Sequence, residues 1–391
     1  MAIHTRSNRV QRVAVAVAAA LVALQAPMAA LASSRDQAKR LHDRIAGVPP
    51  SDAVLTNMAS LISSGDSNGA AQLALANSNF YNVTLKNWVA PWTNRAQSVF
   101  VPLNDYTATV IGMVRDDVDF RQVLSGDILY IGNTSGAPSY SPANNDHYQY
   151  LEDHGVDLKS ALVQTTQSSL LGIPAAATAG IWTTRAAAEA FFIAGTNRAQ
   201  WRFTMINYMC KDMTELNDIT RPPDRIRQDV SRSPGGDSRV FLNNCIGCHS
   251  GMDPMAQAFA YYNYNDSTGR LEYTDGTVQP KYLINSDNFK SGFITQDDTW
   301  DNYWRSGQNS LLGWSSGGGH GNGAKSMGQE LANSQQFAQC QVQKVFKAVC
   351  LRDPGNDTDR AEISTLTSAF QSNGYKIKQV FADAGVYCMG Q

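Results

Sequence analysis

The pentapeptide Cys245-Ile246-Gly247-Cys248-His249 constrains this chain more than any other stretch of it. Two thiols three residues apart stand on one side of a helical turn, and the imidazole directly behind the second is placed close beside them. With 6 Cys and 6 His among 391 residues, a random order would produce this pattern in about one chain in seven hundred. Accident is therefore a poor explanation. A zinc site would need four N, S or O ligands, usually completed by a second Cys pair or a His pair at short spacing. Here the next histidine is His320, and Cys210, Cys340, Cys350 and Cys388 stand singly. The spacing fits one covalent haem c instead. Cys245 and Cys248 would add to its two vinyl groups, and His249 would be aimed at the iron as the proximal ligand.

Haem of this kind is attached after export, and the N-terminus carries an export pattern. Arg6, Arg9 and Arg12 precede the apolar stretch Val13 to Leu24, and Ala30-Leu31-Ala32 supplies an A-x-A-like cleavage site. Residues 1–32 read as a Sec-type signal peptide, with an apolar core too short for a spanning helix of about 20 residues. No later segment is apolar enough to span a bilayer, so the mature chain is expected to have no membrane span and to be periplasmic. Loss of the peptide leaves 29 basic against 34 acidic residues, a formal charge of −5. That balance argues against nucleic acid as a partner and suits a basic periplasmic redox partner protein through weak steering. In an oxidising compartment the four remaining cysteines are expected to form two disulfides, with three connectivities open.

About 360 residues exceed what one core usually covers. The polar, Pro- and Gly-rich run from Pro222 to Gly236 is the best boundary, giving a helical domain over 33–235 and a c-type haem domain over 236–391. The expected fold is mainly α: an N-terminal helical domain packed on a C-terminal cytochrome c-like haem domain with a small β-hairpin. Ser51 or Asp52 can cap a helix carrying Val54, Leu55, Met58, Leu61 and Ile62. Residues 106–124 read as two helices broken near Arg115 to Asp117, the second capped by Asp117 or Asp119. From Gly132 to Asp157 no apolar period is visible, which predicts a surface excursion with His147 and His154 as solvated loop histidines. Two helices flank Gly195-Thr196, the second burying Trp201, Phe203 and Ile206. Asp253 and Pro254 read as N-cap and first residue of a new helix reaching Tyr262. Asp275-Gly276 predicts a tight hairpin turn. Three helices should close the chain, near 328–349, 357–371 and 375–384.

The sixth iron ligand separates an electron carrier from a haem enzyme, because Met or His in that place saturates the metal. Met252 and Met255 follow His249 so closely that they are tied to its side of the ring. Met327, after a glycine-rich loop, is the first candidate for the distal ligand, and His320 inside that loop is the second. Trp300, Trp304 and Trp314 are core candidates. Gly319 to Ser326 has the length of a phosphate-binding loop, but Ala324 occupies the position of its second glycine and no strand precedes it. The expected function is that of an exported mono-haem c-type cytochrome carrying out one-electron transfer. The alternatives are a haem enzyme, a peroxidase or oxygenase with an open distal site, and a haem-stabilised binding module.

The stretch CIGCHSGMDPMAQAFAYYNYNDSTGR resembles the C-x-x-C-H and M-D-P core of secreted bacterial single-haem proteins, the planctomycete-type cytochrome c domain family of unknown function. The segment from Gly172 to Cys210 resembles that family's preceding helical domain. Two further segments, Gly323 to Arg352 and Gly374 to Gly385, resemble its C-terminal domain. Tyr261 to Asp266 stand where family members usually carry an acidic residue and Phe-Asp, and the additional N-terminal haem domain of longer members is absent from this sequence. The resemblance implies an exported mono-haem protein.

Overall fold

The computed structural model describes residues 32–193, 196–283 and 291–390; the expected signal peptide falls on residues outside these, apart from Ala32. The chain is mainly helical. Helix α1 (Ser34–Ala46) starts at Ser33, whose hydroxyl accepts from the Asp36 N–H, and stops at Gly47 in the left-handed region with φ 74°. Helix α2 (Asp52–Ser63) is capped by Ser51, and α3 (Ser67–Leu75) by Asp66. Helix α4 (Asp105–Arg115) ends where the sequence predicts a break, and a 3-10 turn over Phe120–Leu124 follows with Asp119 as its cap. Further helices are α5 (Asp146–Asp153), α6 (Arg185–Phe191) and α7 (Arg198–Tyr208). Helix α8 (Ile246–Ala256) carries most of the pentapeptide. Helices α9 (Gly323–Ala332), α10 (Gln335–Cys350), α11 (Asp357–Ser372) and α12 (Ile377–Cys388) close the chain. The first of the three expected closing helices is thus two, split where Ser334 caps α10 by accepting from the Phe337 N–H.

Strands are short and antiparallel, in three two-stranded sheets. They pair β1 (Leu129–Gly132) with β2 (Leu162–Thr165), β3 (Tyr262–Asn265) with β4 (Arg270–Tyr273), and β5 (Thr299–Asp301) with β6 (His320–Asn322). A hairpin does occur near the predicted position, but Asp266 to Gly269 close it, and Asp275-Gly276 forms a separate turn after β4. The 132–157 region is not wholly irregular, since it contains α5. His147 on that helix is buried, not solvated: its Nε2 accepts from the Gly132 N–H at 2.9 Å, and its Nδ1 lies 2.7 Å from the Pro138 carbonyl. The Gly132 amide at the end of β1 and the Pro138 carbonyl are satisfied this way. His154 is exposed and stacks on Tyr150.

The largest buried cluster runs from Ala38 to Met389 and includes residues on both sides of position 235. The two ends of the described chain meet directly. A Cβ at Gly385 on α12 would lie 2.8 Å from Ile45 Cδ1 on α1, so the helices approach closely at that glycine. Gln37 and Arg40 on α1 donate to the Gly390 and Met389 carbonyls, and Arg44 donates to that of Cys388. Three donors thereby satisfy carbonyls at the end of α12, and the two arginines also oppose its negative dipole end. Two disulfides, Cys210–Cys340 and Cys350–Cys388, join the segment just after α7 to α10 and join α10 to α12. This selects one of the three possible connectivities. No helix among the described residues is long and apolar enough to cross a membrane.

Candidate functional site

The pentapeptide sits at a change of helical pitch. A short turn beginning at Ser238 is capped by Asp237 and runs into a π-helical turn, Phe241–Cys245, before α8 takes over at Ile246. A π-helical turn holds an extra residue and re-aims the side chains that follow. Gly247 and Gly251, four residues apart, form the face of α8 that meets the rest of the protein. A Cβ at Gly247 would lie 1.7 Å from Asn217 Oδ1, and one at Gly251 would lie 2.0 Å from Trp304 Nε1. Gly251 packs directly on the fully buried Trp304 ring, and Gly247 on the Asn217 amide. Cys245, Cys248 and His249 are left half-buried.

Asp253 does not begin a helix. It lies inside α8 with Pro254, and the chain reaches Tyr262 through a 3-10 turn and strand β3. Proline here removes an N–H that would have bonded to the Ser250 carbonyl. The Asp253 carboxylate is one helical turn from His249, and its Oδ1 lies 3.0 Å from His249 Nδ1. This contact places the ring proton on Nδ1 and leaves Nε2, which has no hydrogen-bond partner among the described residues, able to bind a metal.

Asp253 is fully buried and held by two arginines from elsewhere in the chain. Arg198 at the start of α7 donates through Nε to Oδ1 at 2.9 Å and through Nη2 to Oδ2 at 3.0 Å. The Arg227 guanidinium lies 3.8 Å from Oδ1 and is itself fully buried. Asp229 completes the cluster, accepting from both Nη atoms of Arg198. Burial alone would raise the Asp253 pKa, but Arg198, His249 and Arg227 together hold it well below the usual carboxylate range. Burial and the neighbouring Arg198 push the Arg227 guanidinium down. The carboxylate therefore stays ionised and can only accept.

The two motif cysteines are free, while the other four are bridged. Cys245 packs against Ile226, Val230 and Phe241. Cys248 Sγ lies 3.2 Å from the Met213 carbonyl, a contact in which the thiol donates. Burial, followed by the nearby Cys245, raises the Cys248 pKa. A thiol held protonated is a weaker nucleophile than a thiolate, which lowers the reactivity of Cys248 in disulfide exchange. A cavity of about 490 Å³ opens beside Cys248, lined by Met213, Met252, Phe203 and the arginines Arg95, Arg198 and Arg202. Its walls are largely apolar, and arginines stand at its rim. Free thiols and an oriented imidazole are the donors that a covalent haem would need; of these three residues only Cys248 lines the cavity.

Met327 lies on α9 and is fully buried in the core; His320 is exposed at the start of β6, opposite Asp301. Neither lines the cavity beside Cys248, whose thioethers are Met213 and Met252. Trp300 and Trp304 are buried and Trp314 is half-buried. Among the described residues no group of three or more His, Cys, Asp or Glu side chains is placed to hold a metal ion. Sequence reasoning missed Asp253 as a partner of His249, although the i, i+4 spacing was a signal for it. Arg198, Arg227 and Asp229 carried no local signal, because they stand 55, 26 and 24 residues before Asp253. Comparison with family models, curated proteins and solved structures finds no match for this chain.

Proposed function

We propose that this chain is an exported mono-haem c-type cytochrome that passes single electrons between periplasmic partners. One observation carries the reading: His249 Nδ1 is engaged by a buried, ionised Asp253, Nε2 has no hydrogen-bond partner among the described residues, and both motif thiols are free. Cys245 and Cys248 would hold the haem, and His249 would bind its iron. The bound group would supply a metal centre that alternates between ferric and ferrous. Asp253 fixes the ring orientation and makes the imidazole a stronger donor, and Arg198 and Arg227 keep Asp253 from taking up a proton. Export, the resemblance to planctomycete-type cytochrome c domains and the cytochrome c-like haem domain over 236–391 belong to the same proposal.

A second reading, a haem enzyme with an open distal face, draws on one observation: neither Met327 nor His320 lines the cavity beside Cys248. The test is to mature the chain with a c-type haem assembly system and compare wild type with the double variant Cys245→Ser/Cys248→Ser and with Met327→Ala, Met213→Ala and His320→Ala. Haem that survives denaturing electrophoresis in wild type but not in the double cysteine variant is expected. A low-spin ferric spectrum that a single methionine or histidine variant converts to high-spin supports the carrier. A high-spin spectrum unchanged by all three supports the enzyme, and a chain that takes up no covalent haem ends both readings.

A further inference from the structure

The mature chain is acidic overall, yet the surface leading away from Cys248 is not. Helix α7 presents Arg198, Arg202 and Ile206 at four-residue spacing, with Ala199 and Phe203 alongside. This face borders the cavity beside Cys248 and continues into a second, larger one of about 730 Å³. The two are contiguous, because Arg95, Arg202 and Phe203 line both. Six cations border the larger cavity, namely Arg95, Arg202, Lys211, Lys344, Lys347 and Arg360, against only three carboxylates.

Those carboxylates are already taken. Asp212 receives both ends of the Arg202 guanidinium at 2.8 and 3.0 Å, Glu215 pairs with Lys211 at 3.0 Å, and Asp353 pairs with Lys347 at 3.1 Å. Arg360 pairs with Asp357. Arg95 and Lys344 have no carboxylate partner among the described residues. Arg95 is exposed and spends one N–H on the Ala190 carbonyl. The Lys344 ammonium stands 4.7 Å from the centre of the Trp92 ring, which supplies a cation–π contact but no counter-charge. Burial pushes Lys344 down to about 8, so it remains mostly charged at neutral pH.

We propose that this trough along α7 is the docking surface for an acidic protein, one that presents a cluster of Asp and Glu side chains to Arg95 and Lys344 and so comes to rest against the Cys248 edge. The assignment rests on the electron-transfer reading above. Its ground is local charge complementarity, which governs approach at distances where net charge is screened. It reverses the basic partner that net charge alone suggests.

The experiment measures binding of fluorescently labelled poly-L-glutamate to the mature protein by anisotropy, with and without haem, at low and high salt. Arg95→Gln/Lys344→Gln is expected to weaken binding roughly five- to tenfold, since two surface charge contacts contribute about that much together. Arg35→Ala/Lys39→Ala removes two exposed cations that do not line the trough and is expected to leave binding unchanged. Lys347→Glu on the rim tests the same surface should the double variant not fold, and is expected to weaken binding. The assignment is overturned if wild type does not bind, if the α1 control weakens binding equally, or if citrate binds with comparable affinity, which would make this a small-anion site. Polyglutamate binding is read whether or not haem is present. A chain without covalent haem would therefore end the cytochrome reading while this result stood by itself.

Discussion

Replacing Asp253 with asparagine removes one negative charge from the centre of a buried cluster and preserves its shape. In the native protein that charge faces Arg198 through two contacts of 2.9 and 3.0 Å, the Arg227 guanidinium at 3.8 Å, and the His249 ring at 3.0 Å. Removing one member of a buried pair costs about 3–5 kcal/mol, because the other is left desolvated and uncompensated. Arg198 keeps two hydrogen bonds to Asp229 and Arg227 keeps Asp229 at 3.8 Å, so the cost of Asp253→Asn belongs at the lower end, about 3 kcal/mol. Urea unfolding of the haem-free chain at neutral pH should show a lower midpoint with an unchanged slope. The acid limb carries a second signature. Asp253 has a depressed folded pKa, so its stabilisation is fully present above the ordinary aspartate range and is lost as pH falls through the folded value. The variant should therefore lose less stability on acidification than wild type. In the haem-loaded protein the midpoint potential should rise, since a negative charge beside the ligand favours the oxidised metal. A stability loss below about 1 kcal/mol together with an unmoved potential would refute the reasoning.

Gly251→Ala should destabilise by roughly 1–3 kcal/mol despite alanine's better helix propensity, because the new methyl would stand 2.0 Å from Trp304 Nε1; thermal unfolding checks it, and a rise in Tm would show that Trp304 yields. Removing the Cys210–Cys340 bridge with a double alanine variant should cost about 2–4 kcal/mol, since the bridge closes a span of 130 residues; denaturant unfolding that matches wild type would count against it. Lys281 is pushed down to about 7 by burial, against an opposing pull from Glu272, and donates to the Phe192 carbonyl and Asn263. Its folded pKa is below the unfolded one, so the unfolded chain binds the extra proton above neutrality and stability rises with pH. Its share of the rise from pH 7 to 9 should be on the order of 1 kcal/mol after solvent screening, and Lys281→Met should reduce the rise by that amount in denaturant unfolding at each pH, leaving the share of Lys344.

Helices whose caps and apolar spacing are local were legible before the fold was known. Ser51 caps α2, α4 ends at Arg115, and Asp119 caps the turn after it, all within reach of sequence reasoning because each depends on neighbours a few residues away. Errors arose where a residue's role is set at a distance. Asp253 followed by proline has the form of a helix start, yet the helix continues through it because Asp253 is already engaged by His249 and by Arg198, 55 residues upstream. His147 lies in a stretch without apolar period, and only the folded protein brings the Gly132 amide to its ring. The hairpin formed one turn early because β4 is paired with β3, which left Asp275-Gly276 beyond the strand.

By itself the sequence determined the chemistry available at the pentapeptide: two thiols and an imidazole on adjoining turns, a pattern too improbable to be chance and short enough for covalent geometry to fix. It also determined the mainly helical character, because helix formation rests on contacts between near neighbours. Tertiary structure decided which cysteines pair and which stay free, which carboxylate holds His249, and how charge is distributed over the surface. Those outcomes depend on groups distant in sequence becoming neighbours. A count of charges gives an acidic chain, whereas the fold lines a trough beside Cys248 with cations and leaves Arg95 and Lys344 without carboxylate partners. Composition is a sum over the whole chain, and electrostatic recognition is felt only over a screening length.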